Sequence, residues 1–181
     1  MKTLITYSSQ TGFTKKYATW LSEELKADCI PLKEAKKVNL DDYDKIIYGG
    51  WFCAENIMGL DKFIKKANKL STIKNKQVAI FGVGSGPIEN PELIEVLKKI
   101  NSNISTNFGD DFNYKLFYCQ GGFSYEKMNL PSRLAMKLFV KILKSQKNKT
   151  LADEAKIKMI SSSFDATDKK FIEPIIDFIK Q

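Results

Sequence analysis

Three hydroxyl side chains and one glycine near the N-terminus, Ser9, Thr11, Gly12 and Thr14, have the composition and spacing of an anion-binding loop. At the start of a helix, backbone N–H groups and the positive end of the helix dipole point to one place, and nearby hydroxyls add donors. The spacing therefore predicts a phosphate-binding loop, with plain capping of the helix as the alternative. The residues of this predicted loop are Ser9, Gln10, Thr11, Gly12, Phe13 and Thr14.

Two later segments carry residues suited to a flat aromatic ligand. The rings of Trp51 and Phe52 could flank such a ligand, although they could also pack into the core. Glycines in the second segment would let backbone N–H groups approach the edge of a ring, although the same glycines suit an ordinary turn. The predicted ligand-contacting residues of the two segments are Trp51, Phe52, Cys53, Ala54, Gly82, Val83, Gly84, Ser85 and Gly86.

The rest of the sequence narrows the chemistry. It contains no histidine, which excludes serine–histidine and cysteine–histidine catalysis and histidine ligation of a metal. The three cysteines, Cys29, Cys53 and Cys119, have no C-x-x-C spacing, so neither a zinc site nor a disulfide framework is expected. The glycine patterns of nucleoside-triphosphate and dinucleotide loops are absent as well. A bound cofactor is therefore expected to supply any catalytic chemistry.

Five predicted strands and the helices between them position these segments. The strands are predicted at 2–7, 28–32, 43–50, 77–87 with a glycine-rich exit, and 114–119. Strands that alternate with helices and end on small residues are typical of a parallel sheet covered on both faces. Because ligands of such sheets bind beyond the carboxyl ends of the strands, the three predicted segments should converge there. We expect one α/β domain over residues 1–181.

A basic segment before the last predicted helix stands apart from this pattern. The chain has a net charge of +8, and residues 125–149 contain seven basic residues and one acidic residue. Apolar residues that recur every four positions predict an amphipathic helix from about residue 131 to 145. These residues are Leu130, Leu134, Leu138 and Ile142.

Three interpretations of this helix are open. Its apolar face packs on the domain, or it rests on anionic lipid or covers a hydrophobic substrate, or it contacts a partner or a second copy. Because the chain has a single arginine, nucleic-acid binding is not expected. No apolar run in the sequence is long enough to span a membrane, and no signal peptide is expected before the first strand. A cytoplasmic location is therefore predicted, with contact between the 131–147 helix and the inner face of the membrane as one option.

The loop from Ser9 to Thr14 resembles the S/T-x-T-G-x-T phosphate loop of the flavodoxin family. This resemblance implies a three-layer α/β/α fold, with a five-stranded parallel sheet of order 2-1-3-4-5 and an added helical segment before the last helix. It also implies FMN as the cofactor, with its phosphate at the first loop and its ring between the other two. The implied function is a redox protein that exchanges electrons with a partner protein, a quinone or a small-molecule reductant.

The basic helical insertion at 121–165 resembles that of the bacterial quinone-dependent protoporphyrinogen oxidases, which are long-chain flavodoxin relatives. The resemblance lies in the order of Gly121–Tyr125, a basic helix at 131–147 and an acidic-threonine start of the last helix at Asp165–Asp168. It implies a quinone-dependent oxidoreductase as an alternative to an electron carrier. An interaction domain without a cofactor is a further alternative.

Overall fold

A computed structural model describes residues 1–53, 55–109 and 112–181, without the side chains of Ala152 and Lys156. The strands of this part of the chain are β1 (Thr3–Tyr7), β2 (Asp28–Pro31), β3 (Lys45–Cys53), β4 (Asn56–Ile57), β5 (Gln77–Gly84), β6 (Tyr114–Gln120), β7 (Gly122–Phe123) and β8 (Phe164–Asp165). The α-helices are α1 (Phe13–Leu25), α2 (Leu60–Ala67), α3 (Pro91–Phe108), α4 (Leu130–Ser145), α5 (Leu151–Ile160) and α6 (Glu173–Lys180).

The central sheet has the strand order β2-β1-β3-β5-β6, and all four pairs along this path are parallel. Ile5 of β1, for example, lies between Cys29 of β2 and Ile47 of β3. This is the predicted order, because β5 and β6 are the fourth and fifth parallel strands. Two short antiparallel pairs were not predicted: β4 adds to the end of β3, and β7 pairs with β8 away from the central sheet.

Buried side chains on the two faces of the sheet form two separate cores. On one face, Leu4, Ile46 and Ile80 join residues of α2 and α3. On the other face, Ile5 and Ile47 join residues of α1 and α6. Successive residues of a strand point to opposite faces, so the continuously apolar strands supply both cores, and the result is a three-layer α/β/α structure.

Gly49 and Gly50 do not end the predicted third strand, and the predicted fourth strand ends at Gly84 rather than at Gly82. β3 continues through Gly49 and Gly50 to Cys53, and β5 contains Gly82. A Cβ atom on Gly49 would lie 2.2 Å from the Phe81 ring, and one on Gly50 would lie 2.4 Å from Ile57 Cγ2. These glycines therefore provide room for neighbouring side chains, and the prediction that they terminate strands was wrong.

The insertion folds as α4 and α5, followed by β8. The α5 helix begins with the capping box that Thr150 and Asp153 suggest, since each side chain bonds to the backbone N–H of the other. The last helix was expected to begin at about Asp165–Asp168, but α6 begins at Glu173. This start places Pro174 in the first turn, where proline is tolerated. Among the described residues, no helix is both long and apolar enough to cross a membrane.

Candidate functional site

The loop between β1 and α1 has the backbone conformation of an open helix N-terminus. Gly12 is the residue before the helix, with φ of 97°, and a Cβ atom there would meet nothing within 4 Å. Only glycine adopts this left-handed conformation without steric cost. The Gly12 N–H donates to Ser9 Oγ at 3.2 Å. The first turn of α1 contains no acidic residue, so the positive end of the helix dipole is not neutralised locally.

Thr14 provides a hydroxyl group that the protein itself does not use. Its side chain is 1% exposed, and Oγ1 is buried without a hydrogen-bond partner among the described residues. The first N–H groups of a helix also lack partners within the helix. A phosphate group needs several N–H and O–H donors at one point, without a competing carboxylate. The loop therefore combines backbone N–H donors beside open space at Gly12 with an enclosed hydroxyl that has no described partner, and this donor set fits a phosphate.

The remaining predicted loop residues have different environments. Ser9 and Thr11 are half-buried. Gln10 donates from Nε2 to Ser132 Oγ of α4 at 3.0 Å, so its amide faces the insertion. The Phe13 side chain is buried in the core between α1 and α6, which leaves only its backbone N–H for a ligand.

The second predicted segment, Trp51–Ala54, is mostly strand. Trp51 is half-buried near the end of β3, and Cys53 is exposed. Phe52 packs against the core beneath α2 and α3, and its ring lies 5.6 Å from the Tyr118 ring, centroid to centroid. Phe52 thus follows the core alternative, whereas Trp51 stays at the carboxyl edge of the sheet. Ala54 lies outside the described residues.

The third predicted segment is divided between strand and turn. Gly82 and Val83 are buried inside β5, so their prediction as loop residues was wrong. A Cβ atom on Gly82 would lie 2.2 Å from the Phe52 ring, which explains why this position has no side chain. Gly84, Ser85 and Gly86 are half-buried at the end of β5. Of the five residues, these three remain at the edge that Trp51 also occupies.

A model of the flavodoxin domain family matches residues 4–150 of the sequence. This chain belongs to the flavodoxin family. The flavodoxin-like domain-containing protein BilS of Clostridioides difficile is 31% identical over 132 residues, which cover 67% of this chain and 66% of that protein. The match thus spans slightly less than two thirds of the relative's length.

Two solved structures share the flavodoxin fold with a TM-score of 0.50. One is the Trp repressor binding protein from Bacillus subtilis, 16% identical, with coverage of 67% of this chain and 85% of its own. The other is a protein from Bacteroides uniformis, 17% identical, with coverage of 77% and 97%. At these identities the two structures establish the fold alone.

Sequence reasoning missed Tyr118 at the carboxyl end of β6. Its hydroxyl donates to the Gly86 carbonyl at 2.5 Å, and burial raises its pKa. The Gly121 N–H donates to the Gly84 carbonyl at 2.6 Å. Both contacts hold the turn after β5 against the end of β6. The parallel strand order was the available signal, because it places the end of the fifth strand beside the end of the fourth.

A second missed group joins the start of α1 to the chain before α6. Lys16 Nζ lies 2.9 Å from Asp165 Oδ2 and 2.6 Å from Thr167 Oγ1. Partial burial works to raise the pKa of Asp165, but hydrogen bonds from Thr167 and Lys16 outweigh it and lower the pKa to about 2. The Tyr17 hydroxyl donates to the Gln120 carbonyl and accepts a hydrogen bond from the Asp168 N–H, in the chain before α6.

Among the residues that the structure describes, the cysteines and acidic side chains form no arrangement of their own for chemistry. Burial raises the pKa of Cys29 to about 11, and it also raises the pKa of Cys119. A raised pKa keeps a thiol protonated and weakly nucleophilic at neutral pH. In the part of the chain that the structure describes, no group of three or more potential metal ligands of the types His, Cys, Asp and Glu comes together.

Proposed function

We propose that this flavodoxin is a redox protein that binds FMN without a covalent bond. Ser9, Thr11, Gly12 and Thr14 would hold the phosphate, and Trp51 with the turn at 84–86 would contact the ring. The observation that supports this proposal best is the buried Thr14 hydroxyl at an open helix N-terminus, which has no hydrogen-bond partner in the part of the chain that the structure describes. Membership in the flavodoxin family supports the same choice of ligand.

The residues of the chain would bind and orient the cofactor and would not act as acids or bases. Bound FMN would supply the transfer of electrons or hydride. The hydroxyls and N–H groups at the start of α1 are donors without a negative charge, which suits a dianionic phosphate. Burial raises the pKa values of Tyr17, in the first turns of α1, and Tyr118, near the end of β6, so both are protonated hydroxyls at neutral pH.

The first test is a titration of cofactor-free protein with FMN, in which binding is measured by flavin fluorescence. Replacing both Ser9 and Thr11 by alanine should weaken binding by about 2–4 kcal/mol, because two charge-assisted hydrogen bonds are lost. This corresponds to a roughly 30- to 1,000-fold higher Kd. Thr19→Ala is the matched control, since Thr19 is an exposed hydroxyl of the same helix. Equal FMN affinity in the double variant and the control would place the phosphate elsewhere.

A quinone-dependent oxidoreductase of the protoporphyrinogen oxidase type is the second candidate. The observation that favours it is the contact between Gln10 in the phosphate loop and Ser132 in α4, which places the insertion beside the candidate site. FMN-loaded protein would then oxidise protoporphyrinogen with a soluble quinone as acceptor. A rate no higher than that of free FMN would remove this candidate and leave an electron carrier with a protein partner. A protein that retains no FMN at all would instead be an interaction domain.

A further inference from the structure

The α4 helix has two apolar faces on opposite sides. Its inner face, formed by Met136, Val140 and Leu143, packs against a small core that includes Phe123 and Ile160. The predicted stripe lies on the other side and does not pack on the described part of the chain. We define the outer face of α4 by its exposed apolar residues, with their exposed fractions: Leu130 70%, Leu134 67%, Leu138 59%, Phe139 41% and Ile142 51%.

Positive charges border the outer face. Lys137 and Lys141 follow Leu134 and Leu138 by three residues each, a spacing that makes them neighbours on a helix surface. Both lysines and Lys144 are exposed, and none of the three forms an ion pair with a described residue. The α4 sequence contains no acidic residue, so the charge of this surface is not compensated on the helix itself.

The outer face of α4 and its lysines suit a binding partner that offers both apolar and negatively charged groups. A contiguous exposed apolar patch of this kind marks a site of interaction with a protein or a membrane. A second copy of the chain is disfavoured, because a symmetric contact would bring the same lysines of two basic molecules together. The surface of an anionic bilayer offers acyl chains for the leucines and phosphate headgroups for the lysines.

We propose that the outer face of α4 binds the surface of an anionic phospholipid bilayer, with the helix lying in the plane of the interface. The N-terminal turn of α4 contacts the phosphate loop through Ser132 and Gln10. Docking would therefore bring the candidate cofactor site close to the bilayer. The proposal concerns α4 alone and does not depend on whether FMN is bound.

Flotation with lipid vesicles tests this proposal on the full chain. We expect binding to vesicles of phosphatidylglycerol and phosphatidylcholine, little binding to pure phosphatidylcholine, and weaker binding at high salt. Replacing both Leu134 and Leu138 by glutamine should reduce the partition coefficient at least tenfold, and glutamine keeps a good helix propensity. Replacing both Lys137 and Lys141 by glutamine should reduce it several-fold and remove most of the salt dependence.

Two controls distinguish vesicle binding by the outer face of α4 from non-specific hydrophobic adsorption and from attraction by net charge. Ile94→Gln changes a 44% exposed apolar residue of α3, and the pair Lys62→Gln and Lys65→Gln removes two exposed charges of α2. Neither control should change vesicle binding. Far-UV circular dichroism of each variant establishes that it is folded.

Several results would overturn the proposal. Absence of binding to anionic vesicles would do so, as would binding that the leucine variant leaves unchanged. A dimer in analytical ultracentrifugation that dissociates in the leucine variant would assign the outer face to a second copy of the chain. Loss of vesicle binding in the α2 control equal to that in the α4 lysine variant would indicate adsorption by net charge.

Discussion

Replacing Thr14 by valine should separate two effects of its hydroxyl group: lower stability of the cofactor-free protein and higher affinity for FMN. Valine has nearly the shape of threonine and a similar helix propensity, so the substitution removes only the hydroxyl group. Thr14 Oγ1 is buried and has no hydrogen-bond partner within residues 1–53, 55–109 and 112–181. An unsatisfied buried hydroxyl costs about 1–3 kcal/mol, and an apolar group of the same shape avoids that cost.

The cofactor-free Thr14→Val protein should therefore be more stable than the natural protein. We expect a gain of about 1 kcal/mol in the free energy of unfolding, at the lower end of that range, because the structure around the hydroxyl can relax. Its affinity for FMN should fall, because a hydrogen bond to a charged group contributes about 1.5–3 kcal/mol. That loss is a roughly 10- to 150-fold increase in Kd. The two changes have opposite signs in the same variant.

Urea denaturation without FMN measures the first change, and a titration that follows flavin fluorescence measures the second. Thr6→Val is the matched control, because Thr6 Oγ1 in β1 is also buried without a partner, while Thr6 lies outside the loop. This control should gain similar stability and keep its FMN affinity. If Thr14→Val behaves in the same way as Thr6→Val, the Thr14 hydroxyl has no role in binding.

Two further substitutions and one control test the electrostatics and the packing around the site. Because the folded-state pKa of Asp165 is lowered to about 2, its stabilising contribution is present above about pH 4 and is lost as the pH falls towards 2. Asp165→Asn should lower the free energy of unfolding at pH 7 by about 1 kcal/mol, a value reduced because the side chain is 52% exposed. A difference that persists at pH 2 in urea denaturation would contradict this. Gly82→Ala should destabilise by about 1–3 kcal/mol because its Cβ would lie 2.2 Å from the Phe52 ring. Gly86→Ala, whose Cβ has 3.9 Å of clearance, should change stability by less than about 0.5 kcal/mol in the same assay.

The parallel sheet and the glycine turn before α1 were predictable because they depend on local patterns, whereas the strand order was predicted from the resemblance of the Ser9–Thr14 loop to the flavodoxin family. Apolar runs separated by amphipathic helices specify a parallel sheet, and Gly12 follows a short run of small and polar residues directly after β1. The roles of Gly49 and Gly82 were not predictable in this way. A glycine that ends a strand and a glycine that makes room for Phe81 or Phe52 have the same sequence signature. Only the three-dimensional packing distinguishes them.

The buried face of α4 was not predictable for a related reason. Leu134 and Leu138 belong to a regular stripe of apolar residues, and Met136 and Val140 belong to another on the opposite side of the helix. Periodicity identifies both stripes but does not show which of them is buried. The structure buries the side with methionine and valine and exposes the leucines, so the interpretation that the leucine face packs on the rest of the chain was wrong.

The insertion contacts the candidate phosphate loop near its start and the α1 helix at its end. Gln10 bonds to Ser132 near its start, and Lys16 bonds to Asp165 at its end. Gly122, the first residue of β7, has no room for a side chain, because a Cβ atom there would lie 2.3 Å from the Phe164 carbonyl oxygen and 2.8 Å from the Phe13 ring. The loop and the first turns of α1 are therefore in direct contact with the segments on either side of α4 and α5. A ligand that orders the loop would stabilise the insertion through the same contacts, and the outer face of α4 would be presented more rigidly when the site is filled.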